Sequence, residues 1–177
     1  MTDATSSNLW GMRMGFIALI FTVLFFHLLP LQTVAGGLIW PDFILAFSIA
    51  WSVRRPDYVP LTLLAILFLL ADLLLQRPPG LWAVLALIAC AKMQNRVSDI
   101  RDATLASEFL SVALWMTCVG LGYRIVLTIF LVDMPALGPA LLQIVATILA
   151  YPVVVIITHG VMRVRKSLPG DFDRIGT

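Results

Sequence analysis

The sequence predicts an all-α integral membrane protein whose six transmembrane helices form one compact bundle. Three observations predict it. Apolar residues make up 60% of the 177-residue chain and charged residues only 12%, whereas soluble globular chains carry about a quarter charged. The apolar residues fall into six runs near the length of about 20 residues that a spanning helix needs. The basic residues gather in short clusters between those runs, as membrane topology requires. A water-soluble domain of this length has nowhere to bury so much apolar surface, so residues 1–177 are read as a single transmembrane domain with short polar tails.

The first run, residues 14–31, follows a short polar N-terminus and Arg13. It has the outline of a signal peptide but lacks a small-residue cleavage site, and more hydrophobic stretches follow, so it is read as a retained first span. Pro30, Gly36 and Gly37 separate it from the second run, residues 37–53, which stops at Arg54-Arg55-Pro56-Asp57. The third covers residues 58–75. Gln76-Arg77-Pro78-Pro79-Gly80 then makes a tight turn into the fourth, residues 80–97. Its clean apolar core is short, and Lys92 must snorkel to the interface along its own helix. The polar stretch 94–107 mixes both signs and reads as a solvated connector. The fifth run is 108–132 and the sixth 139–162, divided by Asp133-Met134-Pro135 and Gly138-Pro139. Pro139 falls in a first helical turn, where a missing N–H costs little. Pro152 lies inside the sixth run and removes one backbone bond that a neighbour must replace.

Orientation follows from charge. With a cytoplasmic N-terminus, Arg13, Arg54, Arg55, Lys92, Arg96, Arg101, Arg163, Arg165, Lys166 and Arg174 all face the cytoplasm. Arg77 alone is outside, and Arg124 lies within a span. An even number of crossings is the arrangement that keeps the clusters on one side, with both termini cytoplasmic. The cations form no nucleic-acid footprint. Cys90 and Cys118 stand alone in apolar stretches, with no disulfide framework or zinc spacing. His27 and His159 belong to opposite ends of the first and sixth spans and cannot share a metal. His159 joins Arg163, Arg165 and Lys166 in a basic rim facing anionic lipids. No cofactor motif is present.

Intramembrane charges each need a reason, since an isolated one costs about 2.5–3.5 kcal/mol. Asp42, Asp72 and Arg124 all fall in the outer half of the bilayer, counted from their span ends. Two carboxylates and a guanidinium at similar depth predict an intramembrane charge network locking the second, third and fifth helices, because Arg presents a fork that carboxylates grip. A proton or ion relay and simple contact with headgroup water are the competing uses. Trp10, Trp40, Tyr58 and Trp82 lie near span ends, as interfacial anchors do. Gly11 and Gly15 form a weak small-residue packing pair.

The middle of the chain carries a resemblance. Trp40-Pro41-Asp42 opens an apolar helix that ends in Arg54-Arg55-Pro56-Asp57-Tyr58; a long apolar run reaches Asp72-Leu73-Leu74, and Arg77-Pro78-Pro79-Gly80-Leu81 follows. This order resembles the rod-shape-determining MreD family, over about residues 40–95. The matching positions are Pro41, Asp42, Arg54, Arg55, Pro56, Asp72 and Gly80, with departures at Phe68, usually glycine there, and at Pro79, usually leucine. The resemblance implies a non-catalytic scaffold of the bacterial inner membrane, similar in fold to the substrate-binding subunits of ECF-type vitamin transporters. It also implies a direct partner, MreC, within the elongation machinery that includes MreB, RodA and a class B penicillin-binding protein. Fold analogy keeps a second reading open, a small-molecule-binding membrane transporter subunit. An intramembrane enzyme is the third, and no nucleophile, metal cluster or histidine–carboxylate group argues for it.

Overall fold

A computed structural model describes residues 2–29, 40–96, 105–132 and 136–160. Where described, the chain is helical, without a strand. The helices are α1 (Thr2–Leu28), α2 (Phe43–Arg54), α3 (Leu61–Leu74), α4 (Leu81–Asn95), α5 (Leu105–Ile129) and α6 (Leu137–Gly160), with one 3-10 turn at Pro56–Tyr58. They overlap the apolar runs, but α1 begins twelve residues before the first run, within the polar N-terminus, and the second begins later than expected. Trp40, Pro41 and Asp42 precede the first turn of α2, and Asp42 caps it. The connector between α4 and α5 lies outside the described residues for most of its length, as do residues 30–39, 133–135 and 161–177.

Among the described residues, three segments are long and apolar enough to cross a membrane: Leu9–Leu28, Ala106–Ile129 and Leu137–Gly160. The other three helices are apolar but shorter. The most enclosed of these is α2, in which every residue from Ile44 to Arg54 is buried. It packs chiefly on α6 and α4, and also touches α1 and the 3-10 turn. Around it α3 packs on α4, α4 on α5, and α5 on α6, while α1 leans on α2, α3 and the turn. Ala46, Ser48, Ala50 and Ser52 give α2 the small side chains that let neighbours approach.

Aromatic side chains fill the spaces that remain. Phe16 of α1 meets Trp51 of α2 with centroids 5.1 Å apart, and Trp51 meets Tyr58 edge-on at 6.3 Å. Phe68 of α3 lies edge-on to Trp82 of α4 at 5.3 Å. The position where a glycine was expected from the family pattern thus holds a buried ring, and Trp82 belongs to the core instead of the interface belt. The outside is as apolar as the inside. Ile66, Leu110, Leu149 and Ile156 are between 66% and 71% exposed, a surface suited to hydrocarbon and not to water.

The small-residue pair plays no packing part, because a Cβ on Gly11 or Gly15 meets nothing within 4 Å. Close approach occurs instead at Gly120, where a Cβ would stand 2.6 Å from the Ile144 side chain of α6.

Candidate functional site

Polar side chains collect in two places, one at each end of α2. At its start, the Asp42 carboxylate accepts from the Leu45 N–H at 3.1 Å, while the Asp42 N–H donates to Thr147 Oγ1 of α6 at 2.9 Å. The local reason is ordinary capping chemistry, since an Asp before the first turn satisfies an orphan amide. The other carboxylate oxygen faces Arg77 Nη1 at 3.6 Å. Arg77 comes from the α3–α4 turn and also lies over the Trp82 ring, 5.1 Å from its centroid.

That turn is held by Asp72. Its Oδ2 accepts from the Gly80 N–H at 3.0 Å and the Ala83 N–H at 3.1 Å, and its backbone carbonyl accepts from the Arg77 N–H. Gly80 adopts φ +89°, a left-handed conformation that costs other residues more. Asp72 is thus a buried carboxylate at the N-terminus of α4, where the helix dipole and free amides favour negative charge. It is within electrostatic reach of Arg77 and of Asp42.

One member of the expected network, Asp42, pairs with a cation outside that set. Arg77, placed in outer-loop water by the sequence reading, is mostly shielded and pairs with Asp42. Arg124 enters from α5 and lines the same cavity as Asp42 and Arg77, while Asp72 is committed to the α4 amides. Asp42, read as lying within the second span, stands instead just before the first turn of α2, and the rotation of each helix about its axis was not legible.

The cavity is large, about 1240 Å³, and α1, α2, α4, α5, α6 and the α3–α4 turn all contribute to it. Polar groups mark one part: His27, Asp42, Arg77, Tyr123, Arg124 and Gln143. Apolar groups line the rest, among them Phe47, Met116, Val119 and Val154.

At the other end of α2, Arg54 is buried, where a cytoplasmic loop position was expected. Its Nη1 lies 3.3 Å from Glu108 Oε1 of α5, and Tyr151 of α6 donates its hydroxyl to the same oxygen at 3.3 Å. Three helices meet in this cluster. Nearby, Gln94 Nε2 donates to the Val59 carbonyl at 2.9 Å and to Ser52 Oγ at 3.3 Å, tying α4 to the 3-10 turn and to α2. Arg13 of α1 donates to the Asp57 carbonyl at 3.1 Å. Arg55 stands over the Tyr58 ring at 5.8 Å, and Pro56 opens the 3-10 turn. Sequence reasoning missed Glu108 and Tyr151. The one available signal was a lone acid, Glu108, at the mouth of an apolar run, and interfacial water would account for that equally well.

The signature positions thus serve the frame: Pro41 and Asp42 start α2, Arg54 and Arg55 end it, Pro56 turns the chain, and Asp72 with Gly80 sets α4. No cluster of three or more His, Cys, Asp or Glu side chains fit for a metal occurs among the described residues. Cys90 is buried and Cys118 exposed, both as free thiols. Compared with family models, curated proteins and solved structures, the chain matches none.

Proposed function

We propose that this chain is a non-catalytic scaffold of the bacterial cytoplasmic membrane, an MreD-like component of the cell-elongation machinery that binds MreC. It crosses the bilayer six times with both termini cytoplasmic, and through MreC it helps organise peptidoglycan synthesis with MreB, RodA and a class B penicillin-binding protein. The observation that carries this reading is that the motif residues between Trp40 and Asn95 are spent on shape. Asp42 and Asp72 cap helices, Gly80 supplies a left-handed turn, and Arg54 joins a buried ion pair. A catalyst would instead aim such groups at a substrate.

The shortest helix, α2, fits a crossing for a physical reason. At about 1.5 Å per residue α2 is roughly 18 Å long, well under the roughly 30 Å of hydrocarbon. Its neighbours cover it almost entirely, and non-helical backbone at membrane depth is tolerated where protein surrounds it. Flanking residues such as Pro41, Asp42 and Arg55, all partly buried, then extend the crossing.

Two measurements test the reading. Co-purification of MreC with this protein from detergent-solubilised membranes is expected, and a monodisperse preparation that never retains MreC refutes the partnership. Reporter fusions at the C-terminus are expected to be cytoplasmic, and a periplasmic signal overturns the topology.

A second reading, a small-molecule-binding membrane transporter subunit, rests on fold analogy and on the polar groups at one end of the cavity. It predicts a water-soluble ligand that copurifies and is displaced by dialysis; a ligand-free protein of undiminished stability argues against it.

A further inference from the structure

We propose that the buried cluster at the end of α2 is a binding site for one ordered water molecule, held by Arg54, Glu108 and Thr158. Two polar groups there lack a partner on the chain. Arg54 Nε makes no hydrogen bond, although the same guanidinium meets Glu108 through Nη1. Thr158 Oγ1 makes none either, and its residue is fully buried. A buried donor without an acceptor forfeits the hydration it had in water. The threonine stands apart from its fellows. Thr22, Thr117, Thr128 and Thr147 each donate to the carbonyl four residues earlier, at 2.8, 2.8, 2.9 and 2.7 Å, a common outlet for a helical hydroxyl. Thr158 does not, so its hydroxyl is left for another acceptor.

Helix register brings the groups to one depth. Gly120 of α5 stands against Ile144 of α6, and Glu108 meets Tyr151, so the two helices run antiparallel. From Gly120 back to Glu108 is about 18 Å at 1.5 Å per residue, which reaches the level of Ile156 on α6. Tyr151 and Thr158 bracket that level and share the buried face of α6, close to two full turns apart. Charge decides what fits between them. Arg54 and Glu108 already balance, so a bound ion would leave a net charge buried. A buried water needs about two to four polar partners. It accepts from Arg54 Nε–H and from the Thr158 hydroxyl, and donates to Glu108, since a carboxylate offers about four acceptor sites.

Pro152 gives the water a structural use. It has no N–H for the Ile148 carbonyl, so the backbone ladder of α6 is broken there. Tyr151 fastens α6 to the ion pair before the proline, and the water fastens it after. The proposal rests on neither the partnership with MreC nor the transporter reading.

The test uses the full-length, deuterated protein in detergent micelles, with isotope-labelled arginine. In rotating-frame nuclear magnetic resonance, a water held beside the Arg54 Nε–H gives a cross-peak opposite in sign to that of proton exchange. That cross-peak is expected in the parent and absent from Thr158→Val, which keeps the shape and removes the hydroxyl. Unfolding by denaturing detergent reads the same site independently. With water in place, Thr158→Val loses a hydrogen bond and raises the unfolding constant about fivefold. Were the hydroxyl bare, valine would leave that constant unchanged or lower it. An Arg54 Nε–H signal with no water cross-peak, or one of exchange sign only, overturns the proposal. So does a Thr158→Val variant at least as stable as the parent.

Discussion

The buried cluster of Arg54, Glu108 and Tyr151 permits a prediction whose size depends on how many partners are removed. Both charged side chains are nearly inaccessible, at 6% and 3% exposure, and their closest atoms are 3.3 Å apart. With an effective dielectric near 20, that separation corresponds to a gross attraction of about 5 kcal/mol, most of it offset by the desolvation of both ions. Glu108→Leu therefore leaves a guanidinium buried without its counter-charge, and Arg54 Nε has no hydrogen-bond partner on the chain even when the pair is intact. The expected loss is about 3–5 kcal/mol. Arg54→Met, which leaves Glu108 the Tyr151 hydroxyl, should fall towards the lower end of that range. The double variant Arg54→Met/Glu108→Leu removes both ions but still takes the acceptor from the buried Tyr151 hydroxyl, so it should lose less than Glu108→Leu alone and end about 1–3 kcal/mol below the parent. The assay is reversible unfolding of the purified protein in mixed micelles by denaturing detergent, followed by tryptophan fluorescence across the four members of the cycle. Additive losses in the double variant, with no coupling between the sites, would refute the reasoning.

Other outcomes follow from the α3–α4 turn and the α5–α6 contact. Asp72→Ala strips two amides at the start of α4 of their acceptor and should cost about 2–4 kcal/mol, seen as faster hydrogen exchange at Gly80 and Ala83 than elsewhere in α4. Gly80→Ala must hold φ +89° with a Cβ and should lose about 1 kcal/mol in the same unfolding assay, without altering the fold. Gly120→Ala drives a methyl to 2.6 Å from Ile144 and should destabilise by about 1–3 kcal/mol; adding Ile144→Ala should recover part of it, and failure to recover places the strain elsewhere. Arg77→Ala gives up both its ion pair and its stack on Trp82, so a measurable loss of about 1–2 kcal/mol is expected instead of the silence of a loop residue.

How far the sequence reached can be judged from particular residues. Helix positions were legible because apolar runs and Pro/Gly punctuation are local signals. Pro78-Pro79-Gly80 marks the turn, and Gly80 indeed takes a conformation few other residues accept. Asp42 as the opening of a helix came from the resemblance, since the apolar run alone started the span at residue 37. The pairing of charges was not. Arg54 and Glu108 are 54 positions apart and both sit at run ends, where exposure to headgroups is the default expectation. Their burial depends on how α2, α5 and α6 cross, which no local pattern records. Trp82 misled in the same way. An aromatic at a helix start looks like an anchor until the turn before it tucks that start beneath Phe68. The cavity was invisible because it is a property of gaps between helices, and periodicity reports only what each helix presents.

The enclosure of α2 has a consequence for biogenesis. A segment cloaked by protein on every side gains little by partitioning into oil on its own, and its opening amide is satisfied only by Thr147, more than a hundred residues downstream. The ribosome thus delivers the centre of the molecule long before the pieces that shelter it. Until α6 arrives, the start of α2 lacks its Thr147 partner, and the packing around it is completed by the last helix made.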